Sequence, residues 1–240
     1  MSLMNEWGQP VGPAVPGFRT PPVPARSALH GRSCSVEPLD PSRHAQALFD
    51  ATVAGSPASQ WTYLPYGPFD GFQAYQQWLS ASAAGADPLF FAVVDRSNDQ
   101  ATGLASYLRI TPSSGCIEVG HLNFSPMLQR RCAATEAMYL MMRAAFELGY
   151  RRYEWKCDAL NQPSRAAAQR LGFSFEGVFR QATVYKGRSR DTAWYAVIDS
   201  DWPALRKAYE TWLEPANFDQ EGRQRTRLSQ LTGALLVRRG

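Results

Sequence analysis

The chain has 240 residues, of which 45% are hydrophobic and 19% are charged. These fractions are ordinary for a globular protein and exclude global disorder. No stretch approaches the roughly 18 consecutive apolar residues that a membrane span requires. Residues Met1–Pro16 lack the basic and apolar regions of a secretory signal. We therefore expect a cytoplasmic protein that has no membrane partner.

The net charge of +4 is mild, and arginine supplies most of the positive charge. Such a balance suits a polyanionic small molecule, for example a nucleotide-bearing cofactor. The sequence contains no basic stripe interleaved with aromatic residues, so binding of nucleic acid is not expected. The cysteines at 34, 116, 132 and 157 are too widely spaced to predict a metal site.

Composition divides the chain into three parts. Residues 1–32 are rich in proline and glycine and cannot sustain a helix or a central strand. We expect them to form an extended arm that packs on its own domain or on the second subunit of a homodimer. Residues 33–213 are predicted to form a single domain. Residues 214–240 are predicted to be a tail whose arginines are solvated.

Hydrophobic periodicity and turn residues predict strands and helices after the arm. Asp40 and Asn161 are predicted helix N-caps, and Gly149 and Gly172 are predicted to follow helix ends. Consecutive strands make antiparallel pairs and helical crossovers make parallel neighbours. We therefore expect an α/β fold with a mixed, mostly antiparallel twisted sheet flanked by helices. The predicted strands are Cys34–Leu39, Phe90–Val94, Thr102–Ile110, Cys116–Phe124, Arg152–Cys157, Phe173–Val184 and Thr192–Ser200. The predicted helices are Pro41–Val53, Phe72–Ser82, Thr135–Leu148, Gln162–Leu171 and Pro203–Leu213.

The segment Gln129–Ala137 follows a predicted strand and opens a long helix. Its small residues would expose backbone N–H groups at the helix N-terminus, where the helix dipole also favours an anion. Arg130 and Arg131 add positive charge for phosphate groups. A simple strand-to-helix turn with exposed arginines explains the segment equally well.

A second segment starts with Asn161-Gln162-Pro163-Ser164 and ends with Arg170-Leu171-Gly172-Phe173. Residue by residue, it can be explained as a helix with its cap, its first-turn proline and its terminal glycine. That explanation does not account for the two segments occurring together in this order.

Together the two segments resemble the GNAT acetyltransferase superfamily, and specifically its ribosomal-protein N-terminal acetyltransferase (RimJ/RimL-type) branch. Gln129-x-x-Cys132-x-Ala134 is similar to the family's pyrophosphate-loop pattern, Q/R-x-x-G-x-G/A. The segment from Asn161 to Phe173 is similar to the branch's N-x-x-S … G-F pattern. The resemblance runs from about Cys34 to Ser200. It implies the GNAT fold and an enzyme that moves an acetyl group from acetyl-CoA directly to an amine, without a metal.

The resemblance also implies where the donor binds. Acetyl-CoA would lie between the strands that contain Glu118–Phe124 and Arg152–Cys157, with backbone N–H groups near Leu122–Phe124 as the oxyanion hole. Ser164 would protonate the leaving sulfur, although a first-turn serine can equally satisfy a backbone donor. The implied coenzyme-binding residues are Leu122, Asn123, Phe124, Gln129, Arg130, Arg131, Cys132, Ala133, Ala134, Thr135, Asn161 and Ser164.

Two positions depart from the family pattern. Cys132 replaces the first glycine, which is tolerable only if its φ stays negative. Thr183 stands where the branch tends to carry a carboxylate, and threonine cannot act as a base near neutral pH. Glu118 is therefore the first candidate for the base, acting through water, although it can also be a structural strand residue. His121 is expected on the opposite face of that strand, because side chains alternate.

The departures leave open a second function, a catalytically inactive module that holds coenzyme A. For an active enzyme, the expected partners are acetyl-CoA and a primary amine, which is either a protein N-terminus or a small molecule. The aromatic loop Trp61–Tyr66 lies where the family usually builds its acceptor pocket. Core packing accounts for at least half of these aromatic residues.

Overall fold

A mixed sheet of eight strands forms the centre of the computed structural model, which describes residues 3–240. A separate two-stranded ribbon near the N-terminus pairs β1 with β2. The strands are β1 (Leu3–Met4), β2 (Pro10–Val11), β3 (Leu29–His30), β4 (Cys34–Pro38), β5 (Leu89–Asp95), β6 (Gln100–Thr111), β7 (Cys116–Phe124), β8 (Arg152–Asp158), β9 (Ser174–Tyr185) and β10 (Arg188–Ile198).

The order of strands across the sheet is β3-β4-β5-β6-β7-β8-β10-β9. The pairing of β7 with β8 is parallel, and the other pairs in this sheet are antiparallel. A helical crossover joins β7 to β8, as a parallel pair requires. The expected mixed, mostly antiparallel sheet is confirmed.

Helices cover both faces of this sheet. They are α1 (Pro41–Phe49), α2 (Phe72–Ala84), α3 (Cys132–Glu147), α4 (Gln162–Arg170), α5 (Trp202–Leu213) and α6 (Leu228–Thr232). Alternate residues of β5 enter different cores, because neighbouring side chains of a strand point to opposite faces. Phe91 and Val93 join the core under α3 and α5, whereas Phe90 and Ala92 join the core under α1 and α2.

Local signals in the sequence locate most helix ends correctly. Asp40 and Asn161 cap α1 and α4, since their Oδ1 atoms accept the backbone N–H groups of Ser42 at 2.9 Å and Ser164 at 3.2 Å. Gly149 and Gly172 adopt φ angles of +97° and +90°, the left-handed conformation expected after a helix C-terminus. Helix α3 begins at Cys132, three residues before the predicted start at Thr135. Residues 132–134 are thus its first turn rather than part of the preceding loop.

The arm packs on its own domain. The Tyr150 hydroxyl donates to the carbonyl of Pro22 at 3.1 Å, and Nη1 of Arg26 donates to the carbonyl of Ala83 at 2.9 Å. Its first residues reverse direction at Asn5–Gln9 and form an exposed two-stranded ribbon, so the arm is not one continuous extended segment. Residues 1 and 2 lie outside the described residues. The arm therefore has contacts within its own chain and does not require a second subunit to pack against.

The expectation of a solvated C-terminal tail is wrong for its backbone. Leu228 in α6 is fully buried, and the N–H of Phe175 donates to the carbonyl of Arg238 at 3.0 Å. The tail arginines themselves are exposed, as expected. Leucines at 228, 231 and 235 join the core and supply the apolar contacts that the arginine-rich composition obscured.

A buried carboxylate fastens the start of β4 to α3. Glu136 accepts the backbone N–H groups of Arg32 at 2.8 Å, Ser33 at 2.6 Å and Cys34 at 3.2 Å. Burial raises the pKa of Glu136, but the hydrogen bonds from Ser33, Arg32 and Cys34 outweigh burial and leave this pKa below its ordinary value. A Cβ on Gly31 would lie 2.6 Å from the carboxyl carbon of Glu136. The backbone at residue 31 therefore lies too close to this carboxylate for a larger residue.

Glu136→Gln should lower the free energy of unfolding by about 2 kcal/mol, because an amide nitrogen would face backbone donors. The folded-state pKa of Glu136 is below its unfolded value, so the stabilisation is present above about pH 4.3 and is lost as the pH falls further. Urea unfolding at pH 7 and pH 3 measures both effects. Glu147→Gln, an exposed position on the same helix, is the control. Equal stability of both variants at pH 7 would contradict the prediction.

Candidate active site

A cavity of about 670 Å³ opens where β7 and β8 separate. Their pairing ends at Val119 and Trp155, although β7 continues to Phe124 and β8 to Asp158. Backbone groups alternate in direction along a strand, so alternate groups of residues 120–124 have no partner on the β8 side. The two strands splay apart as the sequence resemblance implies.

Three parts of the chain surround this opening: the splayed strands, the loop that follows α1, and the β9–β10 hairpin. The cavity wall includes Gln60, Tyr63, Leu64, Arg109, Glu118, Gly120, His121, Leu122, Gln129, Trp155, Lys156, Cys157, Asp158, Asn161, Ser164, Thr183, Tyr185 and Arg190. Of the predicted site residues, Glu118, Leu122, Gln129, Asn161 and Ser164 therefore share one cavity.

The loop between β7 and α3 presents backbone donors. Nε2 of Gln129 donates to the carbonyl of Phe124 at 2.7 Å and closes the loop on itself. Arg131 occupies the N-cap of α3 without capping it through its side chain, so the N–H groups of the first turn have no intrahelical partner. Arg130 takes the left-handed φ of +62°, whereas the φ of Cys132 is not positive. Cysteine in place of glycine is thus compatible with this backbone.

Several predicted coenzyme residues have side chains that contact the protein interior. Oγ1 of Thr135 accepts Nη2 of Arg170 at 2.9 Å, and Ala133 is buried. The thiol of Cys132 lies beside Ser33 and Arg32, and burial raises its pKa. Asn123 is buried and its Oδ1 accepts Nε2 of Gln60. The side chains of Thr135 and Ala133 thus leave only the backbone for a ligand, whereas Nδ2 of Asn123 has no protein partner.

Ser164 lies in the first turn of α4 with its hydroxyl oriented by a neighbouring side chain. Nε1–H of Trp155 donates to Oγ of Ser164 at 3.0 Å, so this contact uses a lone pair of the hydroxyl oxygen and not its proton. Burial raises the pKa of the Cys157 thiol, and a hydrogen bond from Ser164 partly offsets this. The Ser164 hydroxyl therefore lies beside a sulfur atom at the cavity wall.

Glu118 is buried in a network of charges. Its Oε2 accepts Nε of Arg109 at 2.6 Å and Nζ of Lys156 at 3.0 Å, and its Oε1 accepts Nη2 of Arg109 at 2.6 Å. Nζ of Lys156 also forms an ion pair with Oε2 of Glu154 at 2.7 Å. Oε1 accepts one hydrogen bond from the described residues and so keeps a lone pair, and it lies near Gly120, where an added Cβ would be 3.5 Å away. A water molecule on this side could connect Glu118 to the cavity.

His121 does not face away from Glu118, and the expectation of strict alternation is wrong here. The register with β6 slips by one residue between Gly120 and Asn123, and His121 has a φ of +51°. This bulge turns His121 towards Tyr66, whose hydroxyl is 3.0 Å from Nδ1. Burial, with the charges of Arg109 and Arg190, lowers the pKa of His121 to about 4. The imidazole is neutral at physiological pH.

The comparison with family models matches residues 35–174 to the acetyltransferase (GNAT) domain. The chain belongs to the GNAT acetyltransferase family. It is accordingly an acyltransferase. The matched residues span β4 to the start of β9 and include the whole opening between β7 and β8.

Solved structures agree with this assignment. A GCN5-related N-acetyltransferase from Brucella melitensis is 43% identical, with a TM-score of 0.89, over 91% of this chain and 100% of that chain. A probable acetyltransferase of the GNAT family from Chromobacterium violaceum is 44% identical, with a TM-score of 0.76, over 82% of this chain and 98% of that chain. A comparison with curated proteins found no match.

A more distant structure carries the branch name. RimL, a ribosomal L7/L12 α-N-protein acetyltransferase, is 20% identical with a TM-score of 0.61, over 71% of this chain and 93% of that chain. At this identity the likeness concerns the fold alone. The RimJ/RimL branch stays a prediction for this acetyltransferase.

Sequence reasoning missed several polar residues in the wall of this GNAT site. Lys156 lies over the Trp194 ring at 3.7 Å, and the hydroxyl of Tyr185 donates to Asp158 at 2.9 Å. Burial and that hydrogen bond raise the pKa of Tyr185 to about 12. Arg190 comes from β10. A signal existed in β8, where charged residues at 152, 154 and 156 alternate with apolar ones on a strand in the middle of the sheet.

Two negative findings concern residues 3–240. No group of three or more His, Cys, Asp or Glu side chains within this range is arranged to hold a metal ion. No helix in the same range is long and apolar enough to cross a membrane.

Proposed function

We propose that this GNAT protein transfers an acetyl group from acetyl-CoA to a primary amine by direct attack within the cavity between β7 and β8. The observation that carries the proposal is the opening itself, with unpaired β-strand groups beside the uncapped N-terminus of α3. This combination offers backbone donors to an amide-bearing arm and an anion site to a pyrophosphate. The backbone donors of β7 and of the first turn of α3 therefore fit the amide groups and the pyrophosphate of coenzyme A.

Each part of the donor has a group of residues suited to it. The first-turn N–H groups of α3, with the exposed Arg130 and Arg131, would hold phosphate oxygens. Backbone groups of residues 120–124 and the side chain of Asn161 would hold the pantetheine arm. Acetyl-CoA supplies an activated thioester carbonyl, so positioning can contribute much of the rate.

The protein would then move protons and stabilise charge. A backbone N–H near Leu122–Phe124 would stabilise the oxyanion. Ser164, oriented by Trp155, would donate its hydroxyl proton to the leaving sulfur. Glu118 would receive the amine proton through water, using the free lone pair of its Oε1. An amine that enters already neutral needs no strong base. His121 is neutral and adds no positive charge that would repel an ammonium ion at the entrance.

The acceptor would enter between the loop after α1 and the β9–β10 hairpin. Trp61 is buried in an aromatic cluster, but Tyr63 and Leu64 reach the cavity wall. Lys186 at the hairpin tip donates to the carbonyl of Trp61 at 2.7 Å and fastens the two walls together. Both a protein N-terminus and a small amine stay candidates. Cytoplasmic location and a homodimer stay predictions.

Release of free thiol from acetyl-CoA, measured with a panel of peptides and small amines, tests the proposal. We expect amine-dependent release at a rate well above hydrolysis. The alternative, an inactive module that holds coenzyme A, is favoured by Thr183 in place of a carboxylate. It predicts coenzyme binding without amine-dependent release for any acceptor.

Binding of coenzyme A should raise the Tm through linkage. Arg131→Glu should weaken the affinity about tenfold, equivalent to about 1.4 kcal/mol, because it reverses a charge at the N-terminus of α3. Arg225→Glu makes the same change at an exposed tail position and is the control. Thermal shift titrations with coenzyme A measure both variants. The loop assignment fails if wild type shows no shift at millimolar ligand, or if both variants bind alike.

A further inference from the structure

Arg190 projects into the cavity from β10 without a carboxylate partner. Its Nε donates to Oγ1 of Thr192 at 3.1 Å, and its guanidinium lies 5.7 Å from the centre of the Tyr185 ring. Within residues 3–240 it forms no ion pair, and its Nη groups donate no hydrogen bond. These contacts hold the guanidinium in place while leaving its outer N–H groups free.

The other cations of the cavity wall are neutralised by the protein. Arg109 forms a bidentate pair with Glu118, and Lys156 lies between Glu118 and Glu154 at 3.0 Å and 2.7 Å. Arg190 is thus the cation of this wall that the described residues leave without a counterion. A guanidinium with free Nη groups matches the two oxygens of a carboxylate or phosphate.

Asp158 also lines the cavity, yet it does not pair with Arg190. Its Oδ2 accepts the hydroxyl of Tyr185 at 2.9 Å, and its Oδ1 accepts the N–H of Leu160 at 2.9 Å. The positive field of Arg190 reaches the cavity, where it helps to lower the pKa of His121. Asp158 also adds negative charge to this wall, so Arg190 would attract an anion that contacts its Nη groups directly.

The position of Arg190 separates it from the proposed phosphate site. The first turn of α3 follows β7, whereas β10 lies on the other side of β8 from β7. Arg190 lines the cavity together with Thr183 and Tyr185 of β9, and its register partner is Thr183. This is the wall next to the proposed acceptor entrance, rather than the wall that would hold the coenzyme phosphates.

We propose that Arg190 binds an anionic group of the acceptor, so that the preferred substrates are amines that also carry a carboxylate or a phosphate. The inference rests on the proposed acetyl transfer, because it names the substrate class of that same site. Arg190 is then a specificity-determining residue. An uncharged amine would leave its guanidinium without a counterion in a partly buried wall, whereas an anionic amine would supply one.

Paired acceptors that differ only in the anion test this assignment. The carboxylate arm uses ω-amino acids from glycine to 6-aminohexanoate against their amides, which also varies the spacing between the two groups. The phosphate arm compares O-phosphoethanolamine with ethanolamine. For the best pair, wild type should show a kcat/KM for the anionic member at least about tenfold higher. In Arg190→Gln this ratio should fall to about one, mainly through the KM of the anionic acceptor.

Two further variants and a binding measurement complete the experiment. Arg188→Gln changes an exposed arginine outside the cavity wall on the same strand and should keep the wild-type ratio. Arg190→Lys should keep part of the preference. Calorimetric titration of the same acceptors, with coenzyme A present, reports binding without turnover. Thermal melting checks that each variant is folded.

The two proposals can fail separately. Acetylation of neutral and anionic members at equal kcat/KM, with equal affinities, would overturn the role of Arg190 and leave acetyl transfer intact. A preference that survives Arg190→Gln would also overturn it. If no amine releases thiol, acetyl transfer fails. In that case the calorimetric affinities test the anion site by themselves. If the anionic acceptors bind no better than the neutral ones, or if the preference does not depend on Arg190, the proposed role of Arg190 is overturned.

Discussion

Ser164→Ala should lower kcat about 100-fold, with a much smaller effect on the KM of the acceptor. The hydroxyl of Ser164 accepts Nε1–H of Trp155 at 3.0 Å, so its own proton can be directed to the leaving sulfur. General acid catalysis typically contributes 10²–10⁴-fold. Water can replace part of this function, which places the expected loss at the lower end. Steady-state kinetics on any acceptor found measure kcat and both KM values.

Trp155→Phe provides a matched variant, because it keeps the Ser164 hydroxyl and removes the donor that orients it. We expect a loss of about tenfold in kcat, intermediate between wild type and Ser164→Ala. The backbone N–H of Ser164 is capped by Asn161 in each variant, so the start of α4 should be preserved. If Ser164→Ala keeps wild-type kcat, the serine has only a structural role and the sulfur obtains its proton from solvent.

The fold was predictable because its signals are local. Backbone geometry is determined within a few residues at several points. These are the aspartate and proline at the start of α1, the glycines after α3 and α4, and the turn at Lys186–Gly187. The ordered pair of segments around Gln129 and Asn161 then identified the strands that separate. The packed tail was missed because its flanking arginines dominated the composition, although Leu228, Leu231 and Leu235 stand at helical spacing between them.

The cavity wall was harder to predict, since it depends on bulges and on pairings between distant strands. The bulge that turns His121 towards Tyr66 adds one residue to β7. Gly120 in the strand interior is a signal for such a bulge, but it does not show towards which side His121 turns. Glu118 pairs with Arg109 of the neighbouring strand β6 and with Lys156 of the neighbouring strand β8. Arg190 precedes the part of β10 that pairs with β8, and it reaches the cavity opposite Thr183 of β9. The sequence could suggest Glu118 as the base, but it could not show that Glu118 forms ion pairs with two cations.

Glu118→Gln should lower kcat/KM at least about tenfold, a loss of roughly 1.4 kcal/mol in transition-state stabilisation, while affinity for coenzyme A stays near wild type. It should also destabilise the fold by about 2–3 kcal/mol, because it leaves the buried Lys156 with one charge fewer to pair with. Arg109 is half-exposed and can be hydrated again, so it adds little to this loss. Kinetics and urea unfolding on the same preparations measure both quantities.

Glu154→Gln separates a catalytic from a structural origin of these effects. Glu154 pairs with the same Lys156 at 2.7 Å but is not part of the cavity wall, so its replacement weakens the network and leaves the Glu118 carboxylate in place. If Glu118 receives the amine proton, only Glu118→Gln should change the acidic limb of the pH–rate profile, although both variants lose stability. If both lower the rate alike with an unchanged acidic limb, Glu118 is a positioning residue. If Glu118→Gln keeps the wild-type rate and limb, it has no part in the mechanism, and the limb then reports the pKa of the acceptor amine.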